Sequence, residues 1–395
     1  MIQVKDNIYW LGVRDWESRT FHGQEMSTVM GTTYNSYIIR DKKTALIDTC
    51  KINRKEEFLD ILGNEVGFDN IDMIIINHSE PDHGGMLDEV LKKTGMDTPV
   101  YCTEMGKRFM TRTFSDKINF QVVKTGDEIS LGETTLRFIE MKMIHWPDSM
   151  MVYAEKQKVL LSNDAFGQHV SAAGIFDDQN DECDIFYEAL KYYVNILTPL
   201  NRFIKRKLEE IISMGLVLDC IAPSHGVIWR SHVDKILKLY GEWSAAENNG
   251  TVAVVYDTMY GTTAAMAAAI GRGLENEGVN YRIYNVSAYD TSDLITDIFL
   301  AGGLIIGSPT LHNAPLGSIA GFLEGIKMLK FTGKLGAAFG AYAWSGEACK
   351  TISRSLIDAG FKVELEPISV MLKANDDEIA GCVKFGEEFA KLIKR

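Results

Sequence analysis

Ile71-Asp72-Met73-Ile74-Ile75-Ile76-Asn77-His78-Ser79-Glu80-Pro81-Asp82-His83-Gly84-Gly85 is the stretch on which the reading of this 395-residue chain turns. Its first half is an apolar run of strand length, the pattern of a strand covered on both faces. Its second half places four metal-capable side chains, His78, Glu80, Asp82 and His83, within six residues. A rigid strand that runs into a tight turn can aim imidazoles and carboxylates at one point. Pro81 restrains the turn, and Gly84-Gly85 lets the backbone bend before a helix begins. A lone His-Asp pair would be an ordinary solvated turn. Four such groups at this spacing point to a metal site.

Three later segments share the same grammar. His145 in Ile144-His145-Trp146-Pro147-Asp148, Asp164 in Ser162-Asn163-Asp164-Ala165-Phe166-Gly167 and His225 in Ala222-Pro223-Ser224-His225-Gly226 each follow a strand-like run. Taken singly, each is a common turn or core residue. Together they supply enough groups for two metals, with Asp164 suited to bridge them.

The rest of the composition narrows the function. With 41 basic and 54 acidic residues the net charge is −13, which repels phosphate backbones and argues against nucleic acid as a partner. No apolar run is long enough for a membrane span, and Met1–Asp6 lacks the pattern of a signal peptide. The six cysteines are scattered with no CxxC pair, which reads as reduced thiols in a cytoplasmic protein.

The character of the chain changes near Gly241-Glu242-Trp243-Ser244-Ala245-Ala246-Glu247-Asn248-Asn249-Gly250, a small, polar stretch of linker type. Seven of the eight histidines precede it and only His312 follows. The expected domains are therefore 1–248 and 249–395. The first mixes strands (35–39, 44–47, 71–76, 134–140, 150–154, 159–161) with helices, an α+β or αββα pattern. The second alternates strands (251–257, 281–287, 304–309, 334–341, 362–368) with helices, closing with one over 376–395. Five βα units of this length predict a doubly wound parallel sheet.

In the second domain, Thr258-Met259-Tyr260-Gly261-Thr262-Thr263 follows the first strand and precedes a helix expected over 264–277. Hydroxyls and free N–H groups at a helix N-terminus cradle phosphate. The loop is neither a GxGxxG nor a GxxxxGK[ST] motif, which disfavours dinucleotides and nucleoside triphosphates. Two further loops, Ser308-Pro309-Thr310-Leu311-His312-Asn313 and Ala341-Tyr342-Ala343-Trp344-Ser345-Gly346, end the third and fourth strands, where ligands of doubly wound sheets bind.

The histidine and carboxylate pattern resembles the metallo-β-lactamase fold with a binuclear site, except that Glu80 stands where hydrolases of that superfamily usually carry histidine. A carboxylate there favours iron over zinc, and zinc lacks accessible redox chemistry. The Thr-x-x-Gly-x-Thr loop resembles the phosphate loop of flavodoxins, which binds FMN. The fusion of the two resembles the flavodiiron proteins across essentially the whole chain.

That resemblance implies an α/β chain with an N-terminal metallo-β-lactamase-like αββα domain and a C-terminal flavodoxin-like domain, carrying FMN and two non-haem irons. His78, Glu80 and His145 would hold one iron, Asp82, His83 and His225 the other, and Asp164 would bridge. His169 and Tyr193 would lie near the substrate pocket, with His22 a further pocket residue. The implied activity is reduction of dioxygen to water or nitric oxide to nitrous oxide. Electrons would come through FMN from an external donor, rubredoxin or a reduced deazaflavin. A head-to-tail homodimer, or a dimer of such dimers, would bring the FMN of one chain beside the metals of the other. The alternative is a binuclear hydrolase with a flavodoxin-like accessory domain.

Overall fold

Neighbouring residues on the central strands point in opposite directions, and in this chain both directions are apolar. In the computed structural model, which describes residues 1–395, Leu46 and Ile74 face one core while Ile47 and Ile75 face another. That two-sided burial explains why the 71–76 run carries no polar alternation.

The seven-stranded sheet is β1 (Ile2–Lys5), β2 (Ile8–Trp10), β3 (Tyr37–Arg40), β4 (Thr44–Ile47), β5 (Met73–Ile75), β6 (Val100–Cys102) and β7 (Phe120–Val122), paired in that order. β1 to β4 run antiparallel and β4 to β7 parallel. A five-stranded sheet follows, β8 (Glu128–Ser130), β9 (Thr135–Glu140), β10 (Met150–Ala154), β11 (Val159–Asn163) and β12 (Cys220–Pro223), again in chain order. Ile47, Ile75, Phe138, Val152 and Leu161 belong to one core between the two sheets. Helices α1 (Lys55–Glu65), α2 (Leu87–Thr94) and α3 (Glu104–Thr113) cover the other face of the first sheet through Phe58, Leu62, Leu87, Val90 and Met110. α4 (Glu182–Tyr192) and α5 (Asn201–Ser213) lie in the chain between β11 and β12, and α6 (Val233–Ser244), whose Tyr240 hydroxyl accepts from the Phe166 N–H at 2.7 Å, follows β12. The result is the αββα sandwich.

The second unit holds β13 (Val252–Tyr256), β14 (Tyr281–Asn285), β15 (Gly303–Gly307), β16 (Leu335–Tyr342), β17 (Lys362–Val363) and β18 (Ile368–Met371). The order is β14-β13-β15-β16, with β17 and β18 both alongside β16 and every pairing parallel. This is the flavodoxin-type arrangement of a doubly wound sheet. Its helices are α7 (Thr262–Asn276), α8 (Thr291–Leu300), α9 (Gly317–Leu329), α10 (Glu347–Asp358) and α11 (Asp376–Ile393). Met266 and Ile270 of α7 and Phe385 and Phe389 of α11 share a core with Val254, Ile305 and Phe339.

The structure departs from the sequence reading at two places. The fifth strand of the second domain, expected over 362–368, is broken into β17 and β18. The presumed linker 241–250 is helical as far as Ser244. Tyr240 and Trp243 are buried one turn apart, and that apolar pair outweighs the cost of Gly241 in the helix. Compaction divides the chain into Met1–Gln24, Thr28–Tyr193 and Leu200–Gly241 on one side, and Glu25–Ser27, Val194–Pro199 and Glu242–Arg395 on the other.

Buried Lys334 ends α8 by donating to the carbonyls of Phe299 at 2.7 Å and Ala301 at 2.6 Å. Burial pushes its ammonium down to about 8. The folded chain therefore sheds this proton before the unfolded chain does, so Lys334 adds stability as pH rises from about 8 towards its ordinary value. The unfolding midpoint of the second unit, followed by circular dichroism, should fall in Lys334→Met by the equivalent of about 1–3 kcal/mol. The gap to wild type should widen between pH 8 and pH 10.

Candidate metal centre and flavin loops

The carboxyl ends of β5, β9, β11 and β12 lie at one end of the sandwich, and each delivers a ligand-bearing loop. Asp48, just past β4, accepts from the Asn77 N–H at 2.7 Å and fixes where β5 stops. The loop after it closes with the N–H groups of His83 and Gly84 donating to the Glu80 carbonyl at 3.0 and 2.8 Å. Only glycine fits at 85, because a Cβ there would stand 2.0 Å from the Pro81 carbonyl oxygen. Met150 N–H, at the start of β10, donates to the Asn77 carbonyl and ties the two sheets together beside the site.

All seven expected ligand residues converge. His78, Glu80, His145 and Asp164 form one group and Asp82, His83 and His225 another, each with donor atoms within 4.8 Å of one another. Asp164 stands between them. Its Oδ2 lies 3.2 Å from His145 Nε2 and 3.8 Å from His78 Nε2, while Oδ1 lies 2.9 Å from His83 Nε2 and 3.6 Å from His225 Nε2. Glu80 Oε2 lies 3.1 Å from His78 Nε2 and 3.2 Å from His145 Nε2, and Asp82 Oδ2 lies 3.3 Å from His225 Nε2.

The residues fit a pair of cations. Both oxygens of Asp82 and of Asp164, and the Nε2 atoms of His83 and His225, are buried without a hydrogen-bond partner. Orphaned buried acceptors of this kind carry a large desolvation cost unless a cation meets them. Burial alone would push the imidazoles of His78, His83 and His145 down, yet the carboxylates around them carry each up to about 10. Burial alone would raise Glu80, Asp82 and Asp164, but the neighbouring imidazoles hold all three below the ordinary carboxylate range. The centre of the cluster is thus a place where positive charge is strongly favoured.

Further residues, some expected and some not, surround the seven. Asp148 Oδ1 lies 3.1 Å from His78 Nδ1, and the Thr33 carbonyl lies 2.7 Å from His225 Nδ1. His22 Nε2 reaches Glu80 Oε1 at 3.3 Å, so this loop histidine does belong to the site. His169 is buried with Nδ1 2.8 Å from Thr32 Oγ1 and its ring 5.0 Å from that of His225. Burial drives its imidazole well down, so it is neutral. Tyr193 is not beside the cluster. Its hydroxyl donates to Asn201 Oδ1 at 2.7 Å and its ring packs on Tyr240. Tyr192, at the end of α4, is the tyrosine that reaches the site, 5.0 Å from the His169 ring. The two are consecutive on a helix and face different ways, a distinction that sequence position could not resolve. Asp148 was visible in the string His145-Trp146-Pro147-Asp148, but without a partner in view it had no assignable role.

In the second unit, an open cleft of about 770 Å³ lies at the carboxyl ends of the strands. Thr258, Met259, Tyr260, Gly261, Thr262 and Thr263 line it, with Pro309, Thr310, Leu311, Ala341, Tyr342, Ala343 and Trp344. Gly261 takes φ +89° to start α7, and its N–H donates to Thr258 Oγ1 at 3.0 Å. The buried Thr263 Oγ1 has no hydrogen-bond partner, as expected of a hydroxyl set to meet a phosphate. Tyr260 and Trp344 are 92% and 82% exposed, two flat faces at the mouth of the cleft that a planar ring would cover.

Five residues expected here fall outside the cleft wall. Ser308 is buried and spends its hydroxyl on the Leu316 N–H and the Pro309 carbonyl. His312 and Asn313, both at positive φ, turn the small hairpin 310–315, and Ser345 and Gly346 lead into α10. The loop Leu372-Lys373-Ala374 after β18 lines the cleft and had no signal in the sequence beyond its position at a strand end.

The chain matches two family models, ODP family beta lactamase over residues 32–226 and Flavodoxin over residues 254–386. It is 41% identical over 394 residues to the anaerobic nitric oxide reductase flavorubredoxin of Escherichia coli O1:K1, a match that takes in 99% of this chain and 82% of the relative. The solved rubredoxin oxygen:oxidoreductase of Desulfovibrio gigas superposes with a TM-score of 0.96 at 33% identity, covering 99% of this chain and 98% of that one. The flavodiiron protein of Giardia intestinalis superposes at 0.94 with 28% identity, covering 100% and 96%. No helix is long and apolar enough to cross a membrane. A paired-metal cluster in a β-lactamase-like sandwich, a flavin cleft in a flavodoxin-like unit, and close relatives that join the same two halves lead to one conclusion: the chain belongs to the flavodiiron protein family.

Proposed function

We propose that this chain reduces a diatomic gas, dioxygen to water or nitric oxide to nitrous oxide, at a non-haem di-iron centre fed with electrons through FMN. The observation that carries the reading is Asp164, buried and presenting one unpartnered oxygen to each of two imidazole–carboxylate groups. His78, Glu80 and His145 would hold one iron, Asp82, His83 and His225 the other, and Asp164 would bridge them. When bound, the iron pair would supply one-electron redox chemistry towards the gas, and FMN would supply the electrons.

The chain's own part is to hold that arrangement and manage water and protons. Glu80, a hard oxygen donor, favours iron over zinc and so disfavours the hydrolytic alternative. Phe21 packs on His169 and His225 and keeps bulk water from that side. His169, neutral and anchored through Nδ1 on Thr32, can hold a proton at Nε2. His22 can hold one between its Nε2 and Glu80.

The donor is external, a rubredoxin or a reduced deazaflavin. The name of the Desulfovibrio gigas relative and the exposed rim of Tyr260 and Trp344 support a docking donor. A head-to-tail homodimer, or a dimer of such dimers, places the flavin of one copy beside the metals of the other. Native mass measurement of a fully active monomer would exclude that arrangement.

Metal and flavin analysis of anaerobically purified protein, followed by stopped-flow mixing of the reduced form with each gas, tests the activity. Oxidation of the flavin by at least one gas within the enzyme's turnover time is expected. Two zincs and no flavin would favour the hydrolase instead. Glu80→His should lose iron and gas reduction while retaining FMN. Thr263→Ala should weaken FMN binding about tenfold, the scale of one lost hydrogen bond to a charged group, and leave iron content unchanged. Gly261→Val should weaken it further, because φ +89° strains a β-branched residue.

A further inference from the structure

The two halves of the metal cluster differ in what stands behind their imidazoles. Behind His78 stands a carboxylate. Asp148 Oδ1 lies 3.1 Å from His78 Nδ1, with both side chains fully buried. Asp148 Oδ2 accepts from the Ser79 N–H at 2.8 Å and from Ser79 Oγ at 2.6 Å, so the group cannot swing away. Its backbone carbonyl accepts from Thr103 Oγ1, the residue that caps α3, at 3.0 Å. Behind His225 stands a neutral group, the Thr33 carbonyl at 2.7 Å from Nδ1.

The direct donors are otherwise matched. Each half has two imidazoles and one carboxylate of its own, and Asp164 is shared. The other buried carboxylate nearby, Asp48, takes hydrogen bonds from Asn77 and Asn163 rather than from an imidazole. A carbonyl and a carboxylate both fix the tautomer and tilt of a metal-bound imidazole. The carboxylate also makes the imidazole more basic and adds a full negative charge in a site with little water to screen it.

Resting on the di-iron reading, we infer that Asp148 is a positioning residue that makes the His78 half the tighter metal position and the one that favours the ferric state. Each iron takes one electron from the reduced flavin on passing from ferric to ferrous. Asp148 makes the iron at His78, Glu80 and His145 the second to take its electron and the second to be released to a chelator.

Mössbauer-monitored reductive titration of the iron-loaded holoprotein, paired with chelator-release kinetics, tests this in wild type, Asp148→Asn and Ser79→Ala. Wild type should reduce its irons in two steps and release them in two phases. In Asp148→Asn the later reduction step should move towards the earlier one, and the slower release should quicken by about tenfold or more, with the other iron unchanged. Ser79→Ala removes one donor from the carboxylate and leaves it more basic, so the later step should move later still. Opposite shifts are the signature of charge, since a merely structural role would move both variants the same way. Equal shifts at both irons, no shift, or shifts of the same sign in the two variants would overturn the inference. If Asp148→Asn does not fold, Ser79→Ala decides alone: a later second reduction step at the His78 iron supports the inference, and no shift or an earlier step overturns it. Wild-type protein that binds no iron pair would instead overturn the di-iron reading on which this one stands.

Discussion

Carboxylates crowded at one buried point repel one another, and the fold of the N-terminal unit is arranged around holding them there. Two like charges about 4 Å apart near a protein surface cost about 4 kcal/mol, against a net stability of about 5–15 kcal/mol for a whole domain. Asp82, Asp164 and Glu80 accept that cost because imidazoles interleave them and because cations can occupy the space their oxygens enclose. The loops cannot relax the crowding. Asp48 pins the end of β5, Asn77 ties the sheets, and the Pro81–Gly85 turn closes without room for a Cβ. The rigid sandwich keeps the donor atoms where a metal pair needs them.

The cluster of seven residues was legible in the sequence because several of its members sit just after strands whose composition announces them, while the assignment to each iron came from the family resemblance. His78, Asp164 and His225 follow β5, β11 and β12 within a few residues, and the apolar runs before them are unmistakable. What lay out of reach were partners brought from elsewhere in the chain. Asp148 behind His78 and Thr33 behind His225 are 70 and 192 positions away from the histidines they hold. The choice between Tyr192 and Tyr193 depends on helix phase where α4 passes into an irregular turn, a detail no periodicity argument fixes.

The C-terminal unit shows the same division. The alternation of strands and helices and the Thr258–Thr263 loop were readable, since a βα unit leaves its pattern within one local stretch. The side of each loop that faces the cleft was not. Ser308 looks like a ligand-binding hydroxyl and is instead committed to its own turn, while Lys373 reaches the cleft from a strand that the sequence blurred into its neighbour. The helical run through Gly241 follows from burial of Tyr240 and Trp243 overriding local composition, whereas the fifth strand breaks before Pro367, which has no N–H to give a sheet ladder.

Anomalous diffraction at the iron edge, from crystals of the anaerobically purified holoprotein, bears most directly on the central claim. Two iron peaks about 3.5–4 Å apart, one on each side of the Asp164 carboxylate, are the predicted result. A single peak, or metal bound away from Asp164, would contradict the account.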